Sequence, residues 1–343
     1  MASQKEIFDV SGPLQLLTSF DWRNTFHRRS VAASLVQGVY NLERDRQRGS
    51  IGHEHESHAS LWWERFHFQL NCVLVDDSDL LYFGAIYELK YAHPFFYQSS
   101  PHPPRYVIAF RGTITTSLED MKLNLKCILN KHEKSVRFHT AFHAVSSTVT
   151  TAGAGNVWLA GHSLGASIAM FAGRNMAKRR FQLETYLFNP PFISVPIDNM
   201  IKNQTVKHGV RVIKSLVTAG LATAMKRRSS DPEEDLFVVL AEWTPYVFVN
   251  RSDPICAEYI GYFKDRDMME RIGLGKIGRI ATQNSFRSLV AGAVGRDSEP
   301  LHLLPTAYLT ENLSESEDFK QAHGIHQWWQ QHFQWQSKLY KFK

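Results

Sequence analysis

Cysteine is scarce in this chain. Cys72, Cys127 and Cys256 are three in 343 residues, odd in number, far apart and without Cys-x-x-Cys spacing. That composition excludes a disulfide-stapled scaffold and points to reduced thiols. No run of about 18 apolar residues occurs, so no spanning helix is legible, and Met1 to Asp9 lacks the apolar core of a signal peptide. The expectation is a soluble, cytoplasmic protein that meets membranes, if at all, from outside. Internal repeats, low-complexity tracts and Gly/Ser linkers are also missing, which favours a single domain over residues 1–343. Charge of one sign is in short supply too: 39 Lys plus Arg against 33 Asp plus Glu leave +6. A surplus so diffuse excludes a nucleic-acid footprint, although Lys178-Arg179-Arg180 and Lys226-Arg227-Arg228 suit approach to anionic lipid.

What is present begins with apolar residues, at 43% enough for a sizeable core. The most informative stretch is Asn156-Val157-Trp158-Leu159-Ala160 followed by Gly161-His162-Ser163-Leu164-Gly165 and Ala166-Ser167-Ile168-Ala169-Met170. A short apolar strand meets Gly-x-Ser-x-Gly, and an Ala-rich helix follows at once, the pattern of a nucleophile elbow. Such a bend lifts a serine hydroxyl to the top of a sheet, with glycines where a Cβ would strike the crossing backbone. The following helix aims its positive end at negative charge forming there.

Around the elbow the chain alternates strands and helices. Asp21 to Arg44 has helical apolar spacing (Val31, Leu35, Val36, Val39, Tyr40) and predicts a long amphipathic helix. Trp62, Trp63, Phe66 and Phe68 read as core. His53-Glu54-His55-Glu56-Ser57-His58 lacks the His-Glu-x-x-His register of a metal site and reads as a solvated loop. Strands are expected over 81–87, 106–110, 184–189, 246–250 and 306–309, with helices over 118–129, 138–151, up to Arg180 and 210–225; Phe319 to Phe333 is an aromatic segment in which a helix after His323 would set His326 on the same face. Residues 1–79 read as a helical extension, about 200–240 and 261–300 as insertions. The basic-ended 210–225 helix packs on the body or serves as a lid. The order predicts an α/β fold with a mostly parallel central sheet flanked by helices. Active sites of such sheets lie beyond the carboxyl ends of strands. Asp253, after the 246–250 strand, is therefore placed to orient a histidine, and a hydroxyl residue of the Thr113 to Thr116 run to face the serine.

Taken together, Phe110-Arg111-Gly112-Thr113, Phe138-His139-Thr140-Ala141-Phe142, Gly161-His162-Ser163-Leu164-Gly165, Asn189-Pro190-Pro191 and Asp253-Pro254 resemble the class 3 (fungal-type) lipase family. The nearest likeness is to its plant branch of lipase-like α/β-hydrolases, where endings similar to Ala322-His323-Gly324-Ile325-His326-Gln327-Trp328-Trp329 occur. The resemblance spans roughly residues 80 to 330. It implies an α/β-hydrolase fold with helical lid-like insertions, Ser163 as nucleophile, Asp253 as acid, and Thr113 with the Leu164 N–H as oxyanion hole. A late histidine would be the base: His323 fits best, His326 lies three residues on, and His302 is more distant. Ala141 stands where the family usually has glycine, and the interval from Ser163 to Asp253 exceeds that of compact fungal members. The expectation is a serine hydrolase of carboxylic, acyl-lipid esters, needing no cofactor or metal, with possible peripheral membrane contact. The alternative is a catalytically weak lipase-like protein that binds a ligand or a partner chain.

Overall fold

The computed structural model describes residues 21–50, 59–77, 79–90, 102–114, 125, 135–192, 239–271, 304–316, 318–330 and 333–342. Its eight described strands form one sheet in chain order: β1 (Phe68–Val75), β2 (Tyr82–Leu89), β3 (Tyr106–Phe110), β4 (Val157–His162), β5 (Glu184–Phe188), β6 (Tyr246–Asn250), β7 (Ala307–Asn312) and β8 (Trp335–Tyr340). Strands β3 to β7 run parallel, while β1, β2 and β8 make the antiparallel pairings at the two sides. Helices α1 (Thr25–Ser50), α2 (Val136–Ala152), α3 (Leu164–Lys178), α4 (Glu258–Arg271) and α5 (Phe319–His323) accompany the sheet. This is the mostly parallel α/β sheet that the element order predicts, in the α/β-hydrolase-like architecture that the resemblance implies.

The central strands are apolar almost throughout because both faces are covered. Successive side chains alternate between two cores. Ile108, Phe110, Leu159, Leu187, Val247 and Val249 join the core beneath α2 and α3. Val107, Ala109, Trp158, Ala160, Tyr186, Phe188 and Phe248 join the one that includes Val31, Leu35, Val36 and Val39 of α1.

Three expectations need correction. Helix α1 is present, yet every residue from Arg28 to Asn41 is buried, polar ones included. It is thus an internal element, tied to the sheet by bonds such as the Tyr82 N–H donating to Glu43 at 2.9 Å. Residues 1–79, read as helical, contain β1, whose pairing with β2 slips between Leu70 and Cys72 and so breaks the period-two pattern. The helix expected after His323 is absent: α5 ends at that residue, Gly324 turns extended (φ −62°, ψ 137°) and a single 3-10 turn, Ile325–Trp328, follows. Trp62, Trp63, Phe66 and Phe68 are core as expected. Of the 118–129 helix only Leu125 is described, and it is buried. The 53–58 histidines, His302, Cys127, the 210–225 helix and most of the 200–240 and 261–300 insertions lie outside the described residues. No described helix is long and apolar enough to cross a membrane.

Candidate active site

Strand β4 ends at His162 and α3 begins at Leu164, leaving Ser163 alone in the turn with φ 55° and ψ −123°. Positive φ is costly for a residue with a Cβ, about 1–3 kcal/mol. The bend persists because its surroundings fix it. The Ser163 N–H donates to the Phe188 carbonyl at 2.9 Å and the Ala166 N–H to the Ser163 carbonyl at 2.9 Å. The two flanking glycines are obligatory by contact: a Cβ on Gly161 would sit 2.2 Å from the Gly165 carbonyl oxygen, and one on Gly165 2.2 Å from that of Phe110. The Leu164 amide lies in the first turn of α3, where N–H groups have no acceptor within the helix.

Past β6, the chain turns at Arg251-Ser252 and buries Asp253 completely. Its Oδ2 accepts from His323 Nδ1 at 2.8 Å, Asn189 Nδ2 at 2.7 Å and Cys256 Sγ at 3.0 Å, and its Oδ1 from the Ile255 N–H at 2.9 Å. Burial pushes this carboxyl up, but the charge of His323 and the hydrogen bonds from His323, Asn189 and Cys256 outweigh it. The carboxyl ends below its ordinary value. It is ionised at neutral pH and accepts from His323 Nδ1–H, which turns Nε2 to the other edge of the ring. Burial, then the Asp253 charge, push the Cys256 thiol well up, which keeps it a donor.

The loop that carries His323 is clamped. Gln327 donates from Nε2 to the carbonyls of Ala322 and Gly324, both at 2.8 Å, while its Oε1 accepts from Asn250 and Asn312, both at 2.9 Å. Those asparagines are paired residues at the ends of β6 and β7. Asn189, with φ 45° after β5, also donates to the Ala322 carbonyl at 3.2 Å and accepts from Trp328 Nε1 at 2.6 Å.

A second network reaches the elbow from α1. The Gly112 N–H donates to the Tyr40 hydroxyl at 2.7 Å, and that hydroxyl lies 2.8 Å from His162 Nδ1. Having accepted once, the hydroxyl gives its proton to Nδ1, and His162 then donates Nε2–H to the His323 carbonyl at 2.7 Å. Burial, then the charge of His323, press the His162 pKa down to about 3, and burial lifts Tyr40 to about 12. Both are neutral over the physiological range, and together they tie the Arg111-Gly112-Thr113 strand end to the loop of His323.

Of the residues expected from sequence, Asp253 and His323 are thus hydrogen-bonded, and Ser163 sits at the strained bend. The ring of His162, its chain neighbour, lies 4.9 Å from the His323 ring between centroids. A Cβ on Gly112 would lie 2.8 Å from the Ser163 Cβ, which brings the Thr113 segment against the elbow. His326 is on the separate 3-10 turn, not on one helical face with His323. Three polar atoms, Ser163 Oγ, His323 Nε2 and Thr113 Oγ1, are buried with no hydrogen-bond partner. Buried polar atoms in native proteins are almost always paired. Sequence reasoning missed Tyr40, Asn189, Asn250, Cys256, Asn312 and Gln327 as supports. A lone Asn with Pro190 after it at a strand end was the one local signal, for Asn189. Among the described residues no group of three or more His, Cys, Asp or Glu side chains is gathered to hold a metal ion.

A protein of Arabidopsis thaliana named GDSL esterase/lipase is 45% identical over 356 residues, with 100% of both chains covered. The present chain belongs to this plant esterase/lipase family. No family model matches it. The relative's name is not that of class 3 lipases, the family to which the sequence motifs pointed. Neither does the present esterase/lipase contain the Gly-Asp-Ser-Leu tetrapeptide of that name: its strained serine stands in Gly161-His162-Ser163-Leu164-Gly165.

Proposed function

We propose that the chain hydrolyses carboxylic esters, acyl-lipid esters among them, through an acyl-Ser163 intermediate. The observation that carries this reading is the set of three buried, unpaired atoms, Ser163 Oγ, His323 Nε2 and Thr113 Oγ1, beside a saturated Asp253. His323 Nε2 takes the hydroxyl proton as Ser163 Oγ bonds to the ester carbonyl carbon. Asp253 holds the imidazole tautomer and stabilises the imidazolium. The Leu164 N–H and the Thr113 hydroxyl donate to the oxyanion, each donor worth about 2.7–4 kcal/mol in such sites. The imidazolium then protonates the departing alcohol, and water, activated by the same nitrogen, releases the acid. Within the esterase/lipase family we propose the class 3 arrangement, supported by the Arg111-Gly112-Thr113 strand end and the chain order Ser163, Asp253, His323.

Ser163 is 1% exposed, so its hydroxyl is closed off from solvent. That closure favours a second reading, a lipase-like protein that retains the fold to bind a ligand or a partner. A serine-reactive fluorophosphonate separates the two. Labelling of the wild type and not of Ser163→Ala, with turnover of p-nitrophenyl esters, supports the esterase. A folded wild type that neither labels nor turns over supports the binder.

A further inference from the structure

Arg28 and Arg29 are neighbours on α1, both buried, and their partners differ. Arg28 is ion-paired with Glu184, which also accepts from the Tyr186 hydroxyl, and its guanidinium lies 5.1 Å from the Trp158 ring. Arg29, only 6% exposed, has no carboxylate among the described residues. Its Nε donates to the Trp328 carbonyl at 2.9 Å, and its guanidinium lies 4.2 Å from the Trp335 ring centroid and 4.9 Å from that of Phe26. Its Nη2 is buried with no partner. Burial draws this guanidinium down to about 10, so it is still a cation at neutral pH.

Arg29 lines a cavity of about 210 Å³ between the start of α1 and strands β5 to β8. Phe26, Tyr186, Tyr246, Phe248, Tyr308 and Trp335 form its walls, and the Thr310 and Ser337 hydroxyls, 2.9 Å apart, lie at one side. None of the residues of the candidate active site lines it. A concave site with aromatic walls and few polar groups is the usual form of a small-molecule pocket, and an unpaired buried cation calls for an anion.

We propose that this cavity is a second ligand site, which takes a small monocarboxylate with a flat or short apolar body and seats the carboxylate on Arg29. A monoanion fits better than a phosphate, because the neighbouring cation, Arg28, is already neutralised by Glu184. The site also abuts the active-site supports: Trp328, whose carbonyl holds Arg29, donates its indole N–H to Asn189, which donates to Asp253.

Calorimetric titration of the full chain with benzoate, hexanoate, benzyl alcohol and inorganic phosphate tests this without reference to turnover. Repeating it in Ser163→Ala keeps it separate from the esterase reading. Benzoate or hexanoate should bind, and benzyl alcohol and phosphate at least tenfold more weakly. Arg29→Met, and independently Ser337→Phe, which fills the cavity while the Arg29 side chain is kept, should each weaken the acid at least tenfold. Should Arg29→Met fail to fold, as judged by its melting transition, Ser337→Phe carries the test. Tighter binding of phosphate, no binding of either acid, or acid binding unchanged in the folded variants would overturn the proposal.

Discussion

One edge of the His323 imidazole differs sharply from the other. At Nδ1 it meets Asp253, and the carboxylate behind it is held by Asn189, Cys256 and the Ile255 amide. At Nε2 it meets no partner, and the hydroxyls of Ser163 and Thr113 are likewise buried and unpaired. The saturated side lies in a low dielectric where each bond is strengthened and geometry is fixed. The unsaturated side leaves two hydroxyls and a ring nitrogen with hydrogen-bonding capacity unused. Support and reactivity are therefore built from the same residue types, and what separates them is whether neighbours complete their hydrogen bonds.

The comparison breaks most completely at the reactive edge. Ser163→Ala should lower kcat on p-nitrophenyl esters by about 10⁶ while the protein stays folded, the loss typical when a triad nucleophile is removed. Asp253→Asn should cost about 10⁴, because the amide favours the wrong tautomer of His323. Measured by the same assay, Thr113→Val should cost about 10² to 10³ in kcat, with KM little changed, if its hydroxyl serves the oxyanion.

At the supporting edge the expected effects move into stability. Tyr40→Phe leaves the Gly112 N–H and His162 Nδ1 unpaired, and should lower unfolding free energy by about 1–3 kcal/mol in urea titration. The pH dependence has one sign for both buried groups. The neutral His162, at about 3 against an ordinary 6.5, contributes stability that is full above pH 6.5 and lost as pH falls toward 3. Asp253, held below its ordinary 3.8, contributes above that value and loses it on further acidification. Unfolding free energy should thus fall below pH 6.5, and His162→Gln should flatten the upper part of that decline.

Much of this fold was legible because buried parallel strands are continuous apolar runs with abrupt ends. Residues 246–250 read as a strand and are one, and the Gly161 to Gly165 pattern placed the elbow. Strand β8 was not read, since Gln336, Ser337 and Leu339 are exposed at the side of the sheet and three of its six residues, Gln336, Ser337 and Lys338, are polar and consecutive. At the site, Ser163 and Asp253 were named because each follows a recognisable strand, and His323 because the Ala322-His323-Gly324-Ile325-His326-Gln327-Trp328-Trp329 segment resembles endings of the class 3 lipase family. Tyr40 and Gln327 were not, because their partners are far off in sequence: 122 positions separate Tyr40 from His162, and 77 separate Asn250 from Gln327.

The central claim, that His323 rather than its neighbour supplies the base, is tested most directly by kcat for His323→Ala and His326→Ala side by side, with melting temperatures for both. The account predicts a loss of about 10⁵ to 10⁶ for the first and a change within a few fold for the second, in proteins that both remain folded. A severe loss for His326→Ala with a mild one for His323→Ala would contradict it.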